Sequence, residues 1–186
     1  MGSPKRPAQR PEPQKTELEF PVDSGSSPSS VLQRPATIHE PLLVHIDGAA
    51  RGNPGPASAG VVIQGVVSDK PLHVGRFLGT RTNNQAEYEA LLLALHELVR
   101  RQGVLSPVAV PPEIVVRTDS ELLFSQMTGR YRIKDQQLAA LAWEAKKLMS
   151  RLPRVTFERI PRTENREADK VANRALDRAL KLQAQS

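Results

Sequence analysis

"VHIDGAARGNPGPASAG", residues 44–60, decides how this chain is read. Apolar positions lead into one carboxylate, Asp47. A run of small residues, glycines and prolines follows that cannot carry a core. A carboxylate at the end of a strand can simply serve a turn. Which use applies depends on whether other carboxylates arrive at the same place.

Working outward, "LLVHID" (42–47) reads as a strand ending in Asp47. "AGVVIQGVV" (59–67) and "LHVGRFLG" (72–79) are Val-rich and glycine-punctuated, and read as two further strands of an antiparallel meander. "TNNQAEYEALLLALHELVRRQG" carries a helix pattern. Thr82 or Asn83 caps it, Leu91, Leu92, Leu95, Leu98 and Val99 form one stripe, and Gly103 is expected to stop it. "SPVAVPP" (106–112) reads as a loop, and "EIVVRTD" (113–119) as a fourth strand that again ends in Asp.

"SELLFSQMTG" (120–129) reads as a short helix ended by Gly129. "DQQLAALAWEAKKLMSRL" (135–152) reads as a longer one, with Leu138, Leu141, Ala142, Ala145 and Leu148 on one face. Trp143 is expected in that core rather than stacked on a base. "RVTFERI" (154–160) alternates Val155, Phe157 and Ile160 with charge, as a fifth strand does. "TENREADKVANRALDRALKL" reads as the last helix, with Ala168, Val171, Ala172, Ala175, Leu176 and Ala179 inward. The order β-β-β-α-β-α-α-β-α predicts an α/β fold, a mixed sheet with helices packed on it.

Residues 1–40 differ from the rest. They are rich in Pro, Ser and charge and hold no sustained period, so we expect a disordered Pro/Ser-rich extension ahead of a domain over 41–182. Their one apolar cluster, "LEFPV" (18–22), is either a docking motif or chance. The extension carries five basic and five acidic side chains, so the net charge of +6 belongs to the remainder. A basic domain favours a polyanionic partner. The absence of cysteine excludes disulfides, thiolate zinc sites and a cysteine nucleophile. No apolar run reaches the roughly 18 residues of a membrane span, and the basic N-terminus lacks the apolar region of a secretory signal. A cytoplasmic location with no membrane partner is the expectation.

Asp47 and Asp119 both end strands in this reading. If those strands are parallel neighbours, their ends lie side by side at the edge where open α/β sheets place ligands. Glu87 falls in the first turns of the first long helix and Asp169 in the first turns of the last. Singly, Glu87 and Asp169 could complement helix dipoles and Asp119 could cap the helix starting at Ser120. Together they would repel one another and raise their own pKa values. A site that keeps several of them ionised needs cations. Carboxylate ligands suit Mg²⁺ or Mn²⁺, and four histidines with no cysteine argue against zinc.

These motifs together resemble ribonuclease H type 1. "IDGAARGNPGPASAG" is similar to the family's first strand and turn, and "TRTNNQAEYEAL" to its first helix with the Thr-Asn-Asn entry. "TDSELL" is similar to its Thr-Asp-Ser motif and "ENREADKVAN" to its last acidic helix. The resemblance spans about residues 41–180. It implies a ribonuclease H-like five-stranded sheet, three antiparallel strands and then parallel additions, flanked by helices. It implies endonucleolytic hydrolysis of the RNA strand of RNA–DNA hybrids, leaving 5′-phosphate and 3′-hydroxyl ends. By the same resemblance Asp47 would bridge two Mg²⁺ ions roughly 3.5–4 Å apart, with Mn²⁺ as an alternative. Glu87 and Asp119 would complete one site and Asp169 the other, with Gly48 among the metal-binding positions. Asn53, Asn84 and Gln85 would lie along the minor groove, where 2′-hydroxyls mark RNA, and Asn83 is another substrate position. Thr82 would touch a DNA phosphate, and Ser120 is a further substrate position. Turn and cap chemistry is the alternative for these polar residues. The implied partner is the hybrid duplex, bound by a monomer with no small-molecule organic cofactor.

The chain also departs from the family. Many members carry a histidine in a loop before the last acid. Here histidines stand only at 39, 45, 73 and 96, and the "RIPRTENREAD" loop is shorter. Arg162 or Glu164 could partly substitute, in proton transfer or as a phosphate contact. His45 and His96 read as structural. Glu121 follows Thr-Asp-Ser where Gln is frequent. The Lys- and Trp-rich handle is missing, and "GRYRIKD" (129–135), with Arg130, Arg132 and Lys134, offers a reduced basic contact or only a solvated turn. The shortened, His-free loop and missing handle resemble one branch of the family. Three rival readings stand beside the enzyme: a silent member that binds nucleic acid or protein, a nuclease of this fold acting on double-stranded RNA or a DNA end, and a structural cation-binding domain.

Overall fold

The computed structural model describes residues 41–65, 70–105 and 113–185. The expected extension over 1–40, the loop over 106–112 and the end of the second strand at 66–67 lie outside the described residues.

Strand β1 (Leu42–Ala50) buries Leu42, Val44 and Ile46 on one face, the period-two pattern of its sequence. It does not end at Asp47 as expected. It continues to Ala50, paired antiparallel with β2 (Gly55–Gln64) from Leu43 opposite Gln64 to Ala50 opposite Ala57. Small side chains at 48–50 and 57–60 let the two backbones stay in register, so the turn shrinks to 51–54. Arg51 N donates to Pro56 O across it at 2.9 Å. Strand β3 (Leu72–Arg81) adds antiparallel to β2. Strands β4 (Ile114–Thr118) and β5 (Val155–Arg159) add in parallel on the other side of β1, giving the order β3-β2-β1-β4-β5. This is the expected mixed sheet.

Helix α1 (Asn83–Leu105) begins with a reciprocal cap. Gln85 N donates to Thr82 Oγ1 at 3.2 Å, and Thr82 N donates to Gln85 Oε1 at 2.8 Å. Its Leu91, Leu95 and Leu98 are buried against the sheet. Gly103 was expected to stop this helix, but the helix runs two residues past it. One glycine costs a helix only about 1 kcal/mol relative to alanine, too little to end one anchored by packing. Helix α2 (Glu121–Met127) ends as expected before Gly129, whose φ of +77° suits glycine.

Helix α3 (Gln136–Met149) is capped by Asp135 and packs Leu138, Ala142, Ala145 and Leu148 inward behind α1. Trp143 corrects the sequence reading. It is 66% exposed, with the Lys147 ammonium 5.5 Å from its ring. It stands five residues from both Leu138 and Leu148, off the three-and-four spacing of the buried stripe.

Helix α4 (Arg166–Gln183) lies on the opposite face of the sheet, against β1, β2 and β3. It needs backbone contact there. A Cβ on Gly60 would meet Ala168 O at 2.4 Å and Ala172 N at 2.5 Å. The sheet is therefore sandwiched, with α1 and α3 on one side and α4 on the other. No described helix is long and apolar enough to cross a membrane.

Candidate active site

The last parallel pair between β1 and β4 joins His45 to Arg117. Asp47 lies two residues further along β1, and Asp119 directly follows β4. The two acids thus leave the parallel edge together, as the sequence predicted. Asp119 does not cap α2. Ser120 does, with its side chain accepting from Leu123 N at 3.3 Å, so the Asp119 carboxylate is free for another role.

Glu87 reaches the same place from α1 because Gly48 lets the helix touch the strand. A Cβ at Gly48 would stand 2.4 Å from Ala86 C and 2.4 Å from Glu87 N. The Gly48 N–H donates to the Glu87 carboxylate. Asp169 comes from the first turn of α4, 3.7 Å from the Arg162 guanidinium. All four acids line one open cavity of 370 Å³, together with Gly48, Ala49, Ala50, Asn83, Arg162 and Asn173.

This is an anionic hollow with partly buried walls. Asp47 is 7% exposed. Burial first, then the charges of Asp119 and Asp169, push its pKa from 3.8 to about 7, against the pull of Arg162. Burial, then Asp47 and Asp119, push Glu87 well above the carboxylate range. Glu87 Oε2 is buried without a hydrogen-bond partner. Among the described residues, no three His, Asp or Glu side chains close on one point as a ready metal cage. The acids line the cavity wall instead. An all-oxygen donor set with an orphaned buried carboxylate oxygen still fits a hard divalent cation such as Mg²⁺, and no sulfur or imidazole lines the cavity.

Asn165 was missed by the sequence reading. It is buried at the head of α4, and its side chain does not cap the helix. Its Nδ2 donates to Ile46 O at 2.9 Å and to Asp119 Oδ1 at 2.7 Å. One amide thus ties β1, the end of β4 and α4 together under the acids. Asparagine directly ahead of a helix four residues before Asp169 was the available signal, and it points to a cap rather than to this bridge. Asn173 was also missed. It lines the cavity one turn beyond Asp169 and donates to Asp169 O at 2.9 Å.

The other predicted positions divide. Asn83 lines the cavity and is exposed, and Asn84 beside it is exposed. Asn53 Oδ1 accepts from Asn83 N at 3.0 Å, fixing the β1–β2 turn against the start of α1. Thr82 and Gln85 are committed to the cap, and the Gln85 amide also donates to Gln137 of α3. Ser120 is likewise a cap. Arg162 and Glu164 lie on a short 3₁₀ turn; Arg162 lines the cavity and Glu164 does not. His45 is partly buried, and burial with the nearby Arg117 charge lowers its pKa. His96 is half exposed on α1, 3.5 Å from Glu144 of α3.

Comparison with known proteins fits this geometry. The reverse transcriptase-like family model matches residues 45–175. Ribonuclease HI of Halobacterium salinarum is 35% identical over 167 residues, covering 85% of this chain and 76% of that protein.

The chain belongs to the type 1 ribonuclease H family.

The crystal structure of the family member from that archaeon superposes with a TM-score of 0.64 at 36% identity, over 73% of this chain and 97% of the other. LC11-RNase H1, solved in complex with an RNA/DNA hybrid, gives 0.66 at 40% identity, over 75% and 99%. The bifunctional protein Rv2228c of Mycobacterium tuberculosis is 35% identical over 143 residues, covering 74% of this chain. The chain spans 36% of the length of that relative.

Proposed function

We propose that this chain is an endonuclease that hydrolyses the RNA strand of RNA–DNA hybrids. The observation that carries the reading is the convergence of Asp47, Glu87, Asp119 and Asp169 on one cavity, where two of them are held far from their ordinary pKa values. Perturbed carboxylates in a cleft mark a functional site. The relatives named as ribonuclease H, and the family member solved with a hybrid, support the substrate class.

Asp47, Glu87, Asp119 and Asp169, with Gly48, would hold two Mg²⁺ or Mn²⁺ ions in this cavity. Such ions, when bound, supply Lewis-acid stabilisation of phosphoryl oxygens and a nucleophilic water at neutral pH. The chain's own residues do the rest. Burial and mutual repulsion make the acids a strong cation trap. Asn165 holds the Asp119 carboxylate in one orientation. Arg162 at the cavity wall meets a phosphate; a guanidinium carries N–H donors and no acceptor, so it serves as a charge rather than a proton carrier. Asn83 and Asn84 stand exposed at the start of α1, where they can read 2′-hydroxyls. All four acids come from one chain, so a monomer suffices.

The test is cleavage of a labelled RNA–DNA hybrid with Mg²⁺ or Mn²⁺, beside single-stranded RNA, duplex RNA and duplex DNA. Cutting of the hybrid alone, lost in Asp119→Asn, supports the reading. Cutting of duplex RNA or DNA instead would move it to another nuclease of this fold. No cutting by folded protein with either metal would make it a silent binder.

A further inference from the structure

Asp169, the one cavity acid that α4 supplies, lies on one flank of that helix with Asn173 a turn beyond it. The next flank carries opposite chemistry. Arg166, Lys170, Arg174 and Arg178 follow at intervals of four residues, and all are exposed. Each interval rises about 6 Å and turns about 40° past a full turn, so the four cations form a ridge about 18 Å long that winds slowly round the helix. Among the described residues none of the four makes an ion pair. The neighbouring acids are engaged elsewhere: Glu167 with His73 at 2.7 Å, Asp177 with Arg51, and Asp169 with Arg162 at 3.7 Å.

The ridge has two defined ends. Arg166 follows the turn that carries Arg162 at the cavity wall. Arg174 and Arg178, with His73 and Phe77, line a second open groove of 510 Å³ between β3 and α4. A continuous line of positive charge therefore leaves the catalytic cavity and crosses α4 diagonally. Four like charges left unpaired beside one another repel and destabilise the helix slightly. A bound polyanion would offset that cost.

We propose that Arg166, Lys170, Arg174 and Arg178 form a second phosphate-binding track for nucleic acid, which holds the duplex beyond the segment lying over the carboxylates. The inference rests on the hybrid-nuclease reading for the direction of the track, though not for its charge. Each strand of a duplex advances about 3.4 Å per phosphate, so 18 Å faces about five phosphates of one strand. The track has the form of sequence-independent backbone binding: exposed cations at regular spacing with no base-reading pocket. It gives this chain a grip on long substrates from the last helix.

The experiment measures binding of the full chain to hybrids of about 8 and about 24 base pairs, roughly 27 and 80 Å long. Excess chelator prevents cleavage, and salt is varied. The ridge variant is Lys170→Gln, Arg174→Gln, Arg178→Gln. The control variant, Lys146→Gln, Lys147→Gln, Arg154→Gln, removes the same charge elsewhere. Thermal unfolding checks that both fold. The slope of log affinity against log salt on the long hybrid should fall by about 2 to 3 in the ridge variant, and by less than about 1 in the control. The short hybrid is still longer than the 18 Å ridge, so on it too the ridge variant should lose more slope than the control. An unchanged slope in the ridge variant, or an equal fall in both variants, overturns the track. Tighter binding of an acidic peptide than of the long hybrid, lost in the ridge variant, overturns it in favour of a protein partner. If the wild type cleaves no hybrid, the nuclease reading falls, while the slopes still decide the ridge.

Discussion

Asn165 and Asp119 come from distant parts of the chain and meet through a 2.7 Å hydrogen bond in which the buried amide donates to the carboxylate. The same nitrogen donates to Ile46 O, one residue before Asp47. A single neutral side chain therefore sets the relative positions of two of the four acids. Asn165→Ala should lower kcat about 10–100-fold, the range for losing a group that orients a metal ligand. It should also raise the Mg²⁺ concentration needed for half-maximal rate. Stability should drop by about 1–3 kcal/mol as a buried carbonyl loses its partner. Steady-state kinetics with a metal titration, beside chemical unfolding, checks this. An unchanged kcat would remove Asn165 from the site.

The raised pKa of Asp47 makes a signed prediction for stability in chelator. Between 3.8 and about 7 the native state holds a proton that the unfolded state has released. Stability from this group therefore falls as pH rises across that window and levels off above it. Glu87 acts in the same direction. His45 opposes them: its pKa is lowered, so its contribution rises as pH passes upward through the ordinary value of 6.5. Asp47→Asn isolates the site. Relative to wild type it should be more stable at pH 8 by on the order of a few kcal/mol, with the difference shrinking toward pH 4. Thermal unfolding across pH measures this, and a variant less stable than wild type at pH 8 would contradict it.

Added Mg²⁺ should reverse that penalty. A cation that binds the native acids and not the unfolded chain stabilises by mass action. Wild type at pH 8 should unfold at a higher temperature in Mg²⁺ than in chelator, and Glu87→Gln should show a smaller rise. An equal rise in both would show that the ion binds elsewhere.

Gly48 and Gly60 hold helices against bare backbone on opposite faces of the sheet. Gly48→Ala should displace Glu87, and Gly60→Ala should lift α4 with Asp169, because each new Cβ falls within 2.4 Å of backbone atoms. Each should cost at least about 1–3 kcal/mol, the overpacking range, and most of the activity. Chemical unfolding and hybrid cleavage report both effects.

Trp143→Ala should change stability by no more than about 0.5 kcal/mol, as an exposed site does. A buried tryptophan would cost about 3–5 kcal/mol. The unfolding must be followed by circular dichroism, because the variant has no tryptophan.

The element order, the mixed sheet and the four acids were legible in the sequence because each rests on a local pattern, whereas the arrangement of three antiparallel strands with parallel additions came only with the family resemblance. Strand alternation, helix stripes and an acid at each element's working end need no knowledge of distant contacts. Trp143 was misread by weighing its size over its phase, since only residues three or four from Leu138 or Leu148 share their face. Asp47 was read as a strand end because small residues resemble a turn. In fact their size lets β1 and β2 pair through Gly48, Ala49 and Ala50. Asn165 was not legible because its partners, Ile46 and Asp119, are 119 and 46 residues away. Local reasoning gives such an asparagine a cap, and here the tertiary bond won.

The chemistry at the ends of the products tests the central claim most directly. If the four acids direct water onto the scissile phosphate, mass spectrometry of the cleaved RNA strand will show 5′-phosphate and 3′-hydroxyl ends, and Asp119→Asn will yield none. Products with 2′,3′-cyclic phosphate and 5′-hydroxyl ends would mean that the RNA's own 2′-hydroxyl attacks, and would contradict the account.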